Sequence, residues 1–288
     1  MNNCLLTIDF EDFKHDLKRF LSFKDTSGSP EGLLKATKRL DKILEKTNSD
    51  RQLTYFITGQ VARDYPEIVE KISSNKNEIA CHGNYHDMIY NLSQKEFSKS
   101  LDLATKYLNE ASGQDIIGFR APSFSINKSC NWAYEEIAKR FKYDSSYLND
   151  TKLENPILNF KEKKYQMLSL PIYSPMTYFK RRIRVIGGTF LKILPLSNIF
   201  SYMDEALTMG YMPVIYIHPY ELLTEDDFKI SFKEMKSIEL PKRVYWFLRQ
   251  NQWLSIGNKS FIYKLEQILL KYRHLGTVKN YLKNNSYL

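Results

Sequence analysis

His82 and His86 lie four residues apart in Cys81-His82-Gly83-Asn84-Tyr85-His86, in a chain with five histidines. On a helical turn, positions i and i+4 share a face, so both imidazoles could reach one point. A first-row divalent metal needs that of two nitrogen ligands. A histidine pair alone is a weak signal, because a polar loop can supply one by chance. Other ionisable clusters sharpen it. Asp9-Phe10-Glu11-Asp12 sets three carboxylates within four residues, and these repel one another unless a cation or proton sits among them. Arg120 in Phe119-Arg120-Ala121-Pro122-Ser123, Asp144 in Tyr143-Asp144-Ser145-Ser146 and His218 in Ile217-His218-Pro219-Tyr220-Glu221 each close a short apolar run. Singly, each has a bland reading: an N-cap aspartate, an arginine in a surface pair, a histidine at the edge of a core. Jointly, these bland readings are much less probable than a single site that gathers the groups.

What must gather them is a sheet. Leu5–Ile8, Leu53–Ile57, Glu78–Cys81, Ile116–Phe119, a run beginning at Tyr143, and Val214–Ile217 have strand length and composition. Helical periodicity separates them, over Glu31–Glu45, Pro66–Ile72, Trp132–Lys139 and Asn198–Met209. Ser93-Gln94-Lys95-Glu96 is a capping box that opens a further helix to about Glu110. A helix over Pro241–Gln250 and a short strand Trp253–Ile256 are expected to close the domain. Residues 151–194, with Leu170-Pro171, Ser174-Pro175 and Gly187-Gly188, read as loops and short extended pieces. Alternation of strand and helix predicts an α/β fold with a mostly parallel sheet. The lack of a glycine-rich phosphate loop favours an irregular (β/α) barrel over a doubly wound sheet. In a barrel, residues at the C-terminal strand ends converge. The expected organisation is one barrel domain over 1–257 and a basic amphipathic helical extension over 258–288.

Composition narrows the class. The 288 residues are 43% hydrophobic, enough for a large core, and carry a net charge of +9. The charge concentrates in Lys180-Arg181-Arg182-Ile183-Arg184 and in the tail, where Lys259, Lys264, Lys271, Arg273, Lys279 and Lys283 face one acid, Glu266. No nucleic-acid motif accompanies it, so nucleic acid is not the expected partner. An anionic membrane surface or a phosphate-bearing substrate suits the charge, as does a solvated basic face. Cys4, Cys81 and Cys130 are scattered and odd in number, unlike a disulfide framework or a cysteine zinc site. The start of the chain reads as lacking a signal peptide, and no apolar run is long enough to span a bilayer. A cytoplasmic setting is the expectation. The 20 Tyr and 17 Phe would suit sugar stacking, although compositional bias accounts for them equally well.

These motifs, in this order, resemble the polysaccharide deacetylases of carbohydrate esterase family 4. The branch most similar is the one associated with exopolysaccharide and other cell-surface glycan clusters. The resemblance runs from about residue 4 to 256 and includes a Gly-Gly…Leu-Pro segment, here Gly187-Gly188 and Leu194-Pro195. It implies a barrel of about seven strands. It also implies hydrolysis of an acetamido group on a sugar: Asp9 as general base, His82 and His86 with a carboxylate as metal ligands, and His218 as the acid. Arg120 and Asp144 would orient Asp9. Zinc is the expected metal, and cobalt, nickel or manganese would fit the same donors. In most members two aspartates are adjacent in the first motif. Here Phe10 intervenes, so either Glu11 or Asp12 completes the ligand set. Glu11 leads, because on a continuing strand it faces the same side as Asp9.

The substrate implied is an amino sugar of O-antigen, capsule or exopolysaccharide, carried as a nucleotide- or lipid-linked precursor. Peripheral contact with the inner membrane leaflet goes with that reading. An allantoinase-like cyclic amide hydrolase and an inactive glycan-binding barrel are the alternatives. A backbone N–H near Tyr147 is the expected completion of an oxyanion hole. Tyr173, Tyr178, Tyr220 and Trp132 are stacking candidates, each with core packing as its ordinary role. His15 and His274 are expected at the surface.

Overall fold

The computed structural model describes residues 2–151, 157–160, 165–176 and 182–288. Tyr178, Lys180 and Arg181 lie outside the described residues. The strands are β1 (Asn3–Phe10), β2 (Thr54–Ile57), β3 (Glu78–Cys81), β4 (Gly118–Phe119), β5 (Tyr143–Asp144), β6 (Leu148–Asn149), β7 (Ile157–Phe160), β8 (Tyr165–Ser169), β9 (Ile172–Tyr173), β10 (Val214–Ile217) and β11 (Arg273–His274). The helices are α1 (Phe13–Phe20), α2 (Pro30–Lys46), α3 (Gly59–Asp64), α4 (Pro66–Ser74), α5 (Gln94–Ser112), α6 (Trp132–Ala138), α7 (Gly188–Ile193), α8 (Leu196–Thr208), α9 (Leu240–Leu254), α10 (Asn258–Lys271) and α11 (Val278–Asn284).

The sheet runs β10-β1-β2-β3-β4-β5-β8-β7, with β11 on the start of β1. Every pair in it is parallel except β7 with β8. Short pairings lead from the β5 side back to β10: β6 with β9, the Ile183 N–H to the Pro175 carbonyl, and Gly187 beside Tyr216. This mostly parallel sheet, surrounded by helices, is the α/β barrel-like architecture the alternation of elements predicts.

β1 shows how the sheet sorts its residues. Leu6, Ile8 and Phe10 join the large core formed with Leu33, Leu40, Leu44 and Ile57. Leu5 belongs instead to a second cluster with Phe56, Ala80, Tyr143 and Tyr216. Side chains alternate along a strand, so Thr7, Asp9 and Glu11 fall on the Leu5 side, inside the sheet. The strand is buried at every position from Cys4 to Phe10, so a one-residue slip would put these carboxylates among the helices. α5 opens with the capping box formed as expected, the Ser93 hydroxyl and Glu96 carboxylate bonding reciprocally.

Four expectations need correction. Trp253–Ile256 is not a strand: its first two residues end α9, and a short apolar run cannot be told from a helix end by periodicity. α7 occupies part of the segment read as loops. Residues 258–288 are woven into the barrel. α10 buries Phe261, Leu265, Ile268 and Leu269, an apolar stripe that a count of charges hides. Lys264, within that stripe, donates to the carbonyls of Leu191, Lys192 and Leu194 at 3.1, 2.8 and 2.6 Å, capping the end of α7. His274 is buried rather than solvated. Its ring accepts from the Leu6 N–H at 3.1 Å and meets the Gln52 carbonyl at 3.0 Å.

Candidate active site

Glu11, His82 and His86 come together with ligand atoms all within 4.8 Å of one another. Glu11 stands just past the end of β1. His82 follows β3, and its backbone N–H bonds to the Ile57 carbonyl at 2.9 Å, which continues the β-ladder by one residue. Gly83, at φ +78, then turns the chain so that His86 folds back beside it. The His82 Nδ1–H donates to the Arg120 carbonyl at 2.8 Å, which leaves Nε2 as the free donor atom. Burial lowers the His82 pKa to about 4, so this imidazole is neutral and ready to ligate.

Glu11 Oε2 lies 2.6 Å from His86 Nε2. It is nonetheless a buried oxygen with no hydrogen bond of acceptable geometry. Two donor atoms close together but misaligned with each other are what a shared cation requires, so the trio fits a divalent metal. Burial would raise Glu11, but His86 pulls it to about 2. Burial would likewise lower His86, and Glu11 raises it to about 9. A cation taking this position therefore displaces a proton from His86.

Asp12 does not join them. It is the N-cap of α1, with Oδ1 accepting from the Lys14 and His15 N–H groups and Oδ2 accepting from the Ser29 N–H. Its two oxygens are spent on three backbone donors, so of the two carboxylates left open by the sequence, only Glu11 faces the histidines.

Asp9 is buried and takes a 2.6 Å bond from the Arg120 guanidinium. Burial alone would raise the Asp9 carboxyl. Arg120, with His82 and His218 nearby, overrides it and holds the group below its ordinary range. Arg120 also bonds the Thr7 hydroxyl at 2.9 Å, the Ser145 hydroxyl at 2.9 Å and the Ser145 carbonyl at 3.3 Å. Its guanidinium lies 4.0 Å from the centre of the Phe56 ring. Asp144 is not the orienting partner expected. Its carboxylate is occupied by the Ser146 hydroxyl and N–H, and Ser146 in turn accepts from the Ala121 N–H. Burial raises Asp144 to about 6. Ser145, next in sequence, makes the contacts to Arg120. Nothing in residue type distinguished it from Ser146.

His218 follows β10. Its Nδ1 lies 3.2 Å from Glu221 Oε2, which also accepts the His218 backbone N–H at 2.9 Å. Burial opposes the imidazolium, but Glu221 outweighs it and raises the His218 pKa. Tyr220 stacks on the imidazole at 5.0 Å. Glu221 was missed as a functional residue, although it lies only three positions on. The 3-10 turn Pro219–Leu222 is what folds it back. Replacing Glu221 with Gln is expected to lower the His218 pKa and so move the alkaline limb of the pH–rate profile to lower pH. The loss at neutral pH should be about 10–100-fold. A profile that falls in height without moving would contradict this.

Asp9, Glu11, His86 and His218 line one cleft of about 570 Å³. Its walls include Phe13, Phe124, Phe190, Tyr220, Trp246 and Trp253, with Arg184 among them. Gly187 and Gly188 carry the chain across Tyr216: a Cβ at 187 would lie 2.2 Å from the Tyr216 ring, and Gly188 has φ +52. Of the stacking candidates, Tyr220 lines the cleft. Tyr173 packs on Tyr211 in the interior, and Trp132 packs on Phe97. Tyr147 is half exposed and not among the lining residues. His15 is buried beside Asp16 and stacks on Tyr85, contrary to the surface position expected.

Residues 19–142 match the family model described as polysaccharide deacetylase. That stretch holds His82, His86 and Arg120, but not Asp9, Asp144 or His218. A peptidoglycan deacetylase-like protein of Gibberella zeae is 31% identical over 108 residues, covering 38% of this chain and 31% of its own length. The chain thus spans about a third of the curated relative it matches. Among solved structures, a candidate polysaccharide deacetylase from Mycobacterium smegmatis is similar with a TM-score of 0.52 at 19% identity, covering 96% of this chain and 94% of that one. This likeness shows a shared fold. The family match takes in both histidines and Arg120 but covers less than half of the chain, and the likeness to the solved structure extends the shared fold over nearly all of it.

Proposed function

We propose that the protein is a metal-dependent N-deacetylase that removes the acetyl group from an amino sugar during cell-surface polysaccharide biosynthesis. The observation that carries this is the convergence of Glu11, His82 and His86 within 4.8 Å, at a cleft lined by Glu11, His86, Asp9 and His218. An amide is a poor electrophile, so hydrolysis needs an activated water, a stabilised oxyanion and a protonated leaving amine. A divalent ion held by Glu11, His82 and His86, with zinc suiting the donors best, would supply Lewis-acid polarisation of the acetamide carbonyl and of the attacking water. Asp9 accepts the proton of that water, as a carboxylate that Arg120 holds ionised. His218, kept protonated by Glu221, donates to the amine nitrogen as the C–N bond breaks. Acetate and a free amino sugar result.

The finer substrate reading is a phosphate-bearing precursor, nucleotide- or lipid-linked. Arg184 lines the cleft and has no carboxylate partner among the described residues. Three free buried thiols suit work in a reducing compartment. Equal activity on neutral free glycans and on phosphorylated precursors would contradict this substrate reading. Among the described residues no helix is long and apolar enough to cross a membrane.

Metal analysis beside an acetate-release assay tests the function. The wild type is expected to hold metal and release acetate from an N-acetylated amino sugar. His82→Ala should weaken metal binding by more than the roughly 10–100-fold that loss of an outer-shell partner costs. Ring opening of a cyclic ureide without acetate release would point to the cyclic amide hydrolases. Neither metal nor hydrolysis in the wild type would leave a glycan-binding role.

A further inference from the structure

α9 packs Trp246, Phe247 and Leu254 against the domain, yet it carries a second apolar face outward. Of its 15 residues only Gln250 and Leu254 are buried. Gln250 is polar, and it is held by a reciprocal pair of bonds with the backbone of Ile230, at 2.9 and 2.6 Å. The outward face carries Leu240, Val244, Tyr245 and Leu248, exposed by 59, 41, 57 and 63%. Val244 and Leu248 are i and i+4 on one ridge, with Leu240 a turn earlier. A helix normally turns its apolar stripe inward.

The residues beside this ridge say what it meets. Lys242 and Arg249, seven apart, share one flank of the helix, and neither has a carboxylate partner among the described residues. Trp246 and Trp253 follow on the same side and line the cleft. Arg249 lies 4.2 Å from the Trp253 ring centre, and Trp246 packs edge-on against Phe20, which is 68% exposed at the cleft mouth. Around the helix the order is an apolar ridge, a cationic band, then a tryptophan wall that enters the cleft. Residues 229–260 hold seven Lys or Arg and two Glu. A second copy of the chain is a poor occupant, because a two-fold contact would set these unpaired cations against their own images in a protein of net charge +9. Apolar residues between cations, with tryptophans at the border, match an anionic lipid surface.

We propose that the outward face of α9 is a membrane-docking surface that seats in the headgroup boundary of an anionic leaflet, so that the cleft opens at the lipid. Docking gives the substrate reading a concrete form: the sugar of a lipid-linked precursor lies at the surface the cleft then faces. The lipid-linked substrate rests on the deacetylase reading, but the docking does not.

The test is co-sedimentation with vesicles of phosphatidylglycerol and phosphatidylcholine, and of phosphatidylcholine alone. The wild type is expected to bind the anionic vesicles and to lose binding as salt rises. The double variant Val244→Glu/Leu248→Glu should reduce partitioning at least about tenfold. Lys242→Gln/Arg249→Gln should reduce it by about fivefold for each charge. Lys242, Val244 and Leu248 are exposed and Arg249 is half-buried, all away from the cleft floor, and unchanged circular dichroism would confirm the fold. Wild-type protein that ignores anionic vesicles, or a Val244→Glu/Leu248→Glu variant that binds them equally well, would overturn the proposal. So would a wild-type dimer that this variant splits without any vesicle binding, since the face would then be a self-contact. Acetate release from a soluble substrate, read in parallel without vesicles, should be the same in wild type and variant. Its absence from the wild type would remove the deacetylase reading while leaving the docking result standing.

Discussion

Asp9→Asn is expected to lose acetate release by about a hundred- to ten-thousand-fold, the range a general base supplies, while binding metal as the wild type does. Asparagine keeps the shape of the side chain and an oxygen that can accept from Arg120, so the 2.6 Å contact has a successor. What disappears is the proton acceptor. Asp9 lies outside the trio of Glu11, His82 and His86, so the ligand set is untouched. The check is a metal determination and an acetate assay on the same preparation. Retained turnover would refute Asp9 as the base. Joint loss of metal and turnover would mean that Asp9 serves the metal site instead.

Arg120→Met carries the largest expected effect on stability. The guanidinium is wholly buried and holds Asp9, Thr7 and Ser145 together across the inside of the sheet. Removing it leaves an uncompensated carboxylate in the interior, which costs about 3–5 kcal/mol when one partner of a buried pair is lost. Urea denaturation should show this as a lower midpoint at an unchanged slope. The double variant Asp9→Asn/Arg120→Met should recover a large part of the loss, because the stranded charge is gone. If the two changes simply add, the pair is not coupled and the electrostatic account of Asp9 fails. The pH dependence has a definite sign. Asp9 has a depressed pKa, so its pair with Arg120 contributes fully above the ordinary aspartate value of about 3.9 and is lost as pH falls through the folded value.

The parts of the site that were legible in the sequence are those set by strand periodicity. Thr7, Asp9 and Glu11 share one side of β1 because side chains alternate, and that alternation placed Glu11 with Asp9 before any contact was known. The parts that were not legible depend on distant backbone. Asp12 reads like its neighbours until Ser29, well along the chain, supplies an N–H to its second oxygen. Ser145 and Ser146 are alike in type and both follow the two-residue β5, and only the packed structure shows that Arg120 meets Ser145 while Ser146 occupies Asp144. The tail was read from its charges. Lys264 and His274 instead satisfy buried carbonyls and amides, a role that net charge does not register. α9 is apolar on two faces: Phe247 and Leu254 pack inward beside the clamped Gln250 while Leu240, Val244 and Leu248 lie outside, so periodicity found the helix but not its orientation.

The central claim is that a cation on Glu11, His82 and His86 makes this cleft a deacetylase. Its most direct test is to follow acetate release from an N-acetylated amino sugar while bound metal is stripped by a chelator and then returned as zinc. The account predicts that activity falls in proportion to metal lost and returns with about one zinc per chain. It also predicts that the same zinc restores nothing to His82→Ala. Acetate release that persists undiminished after the metal is gone would contradict it.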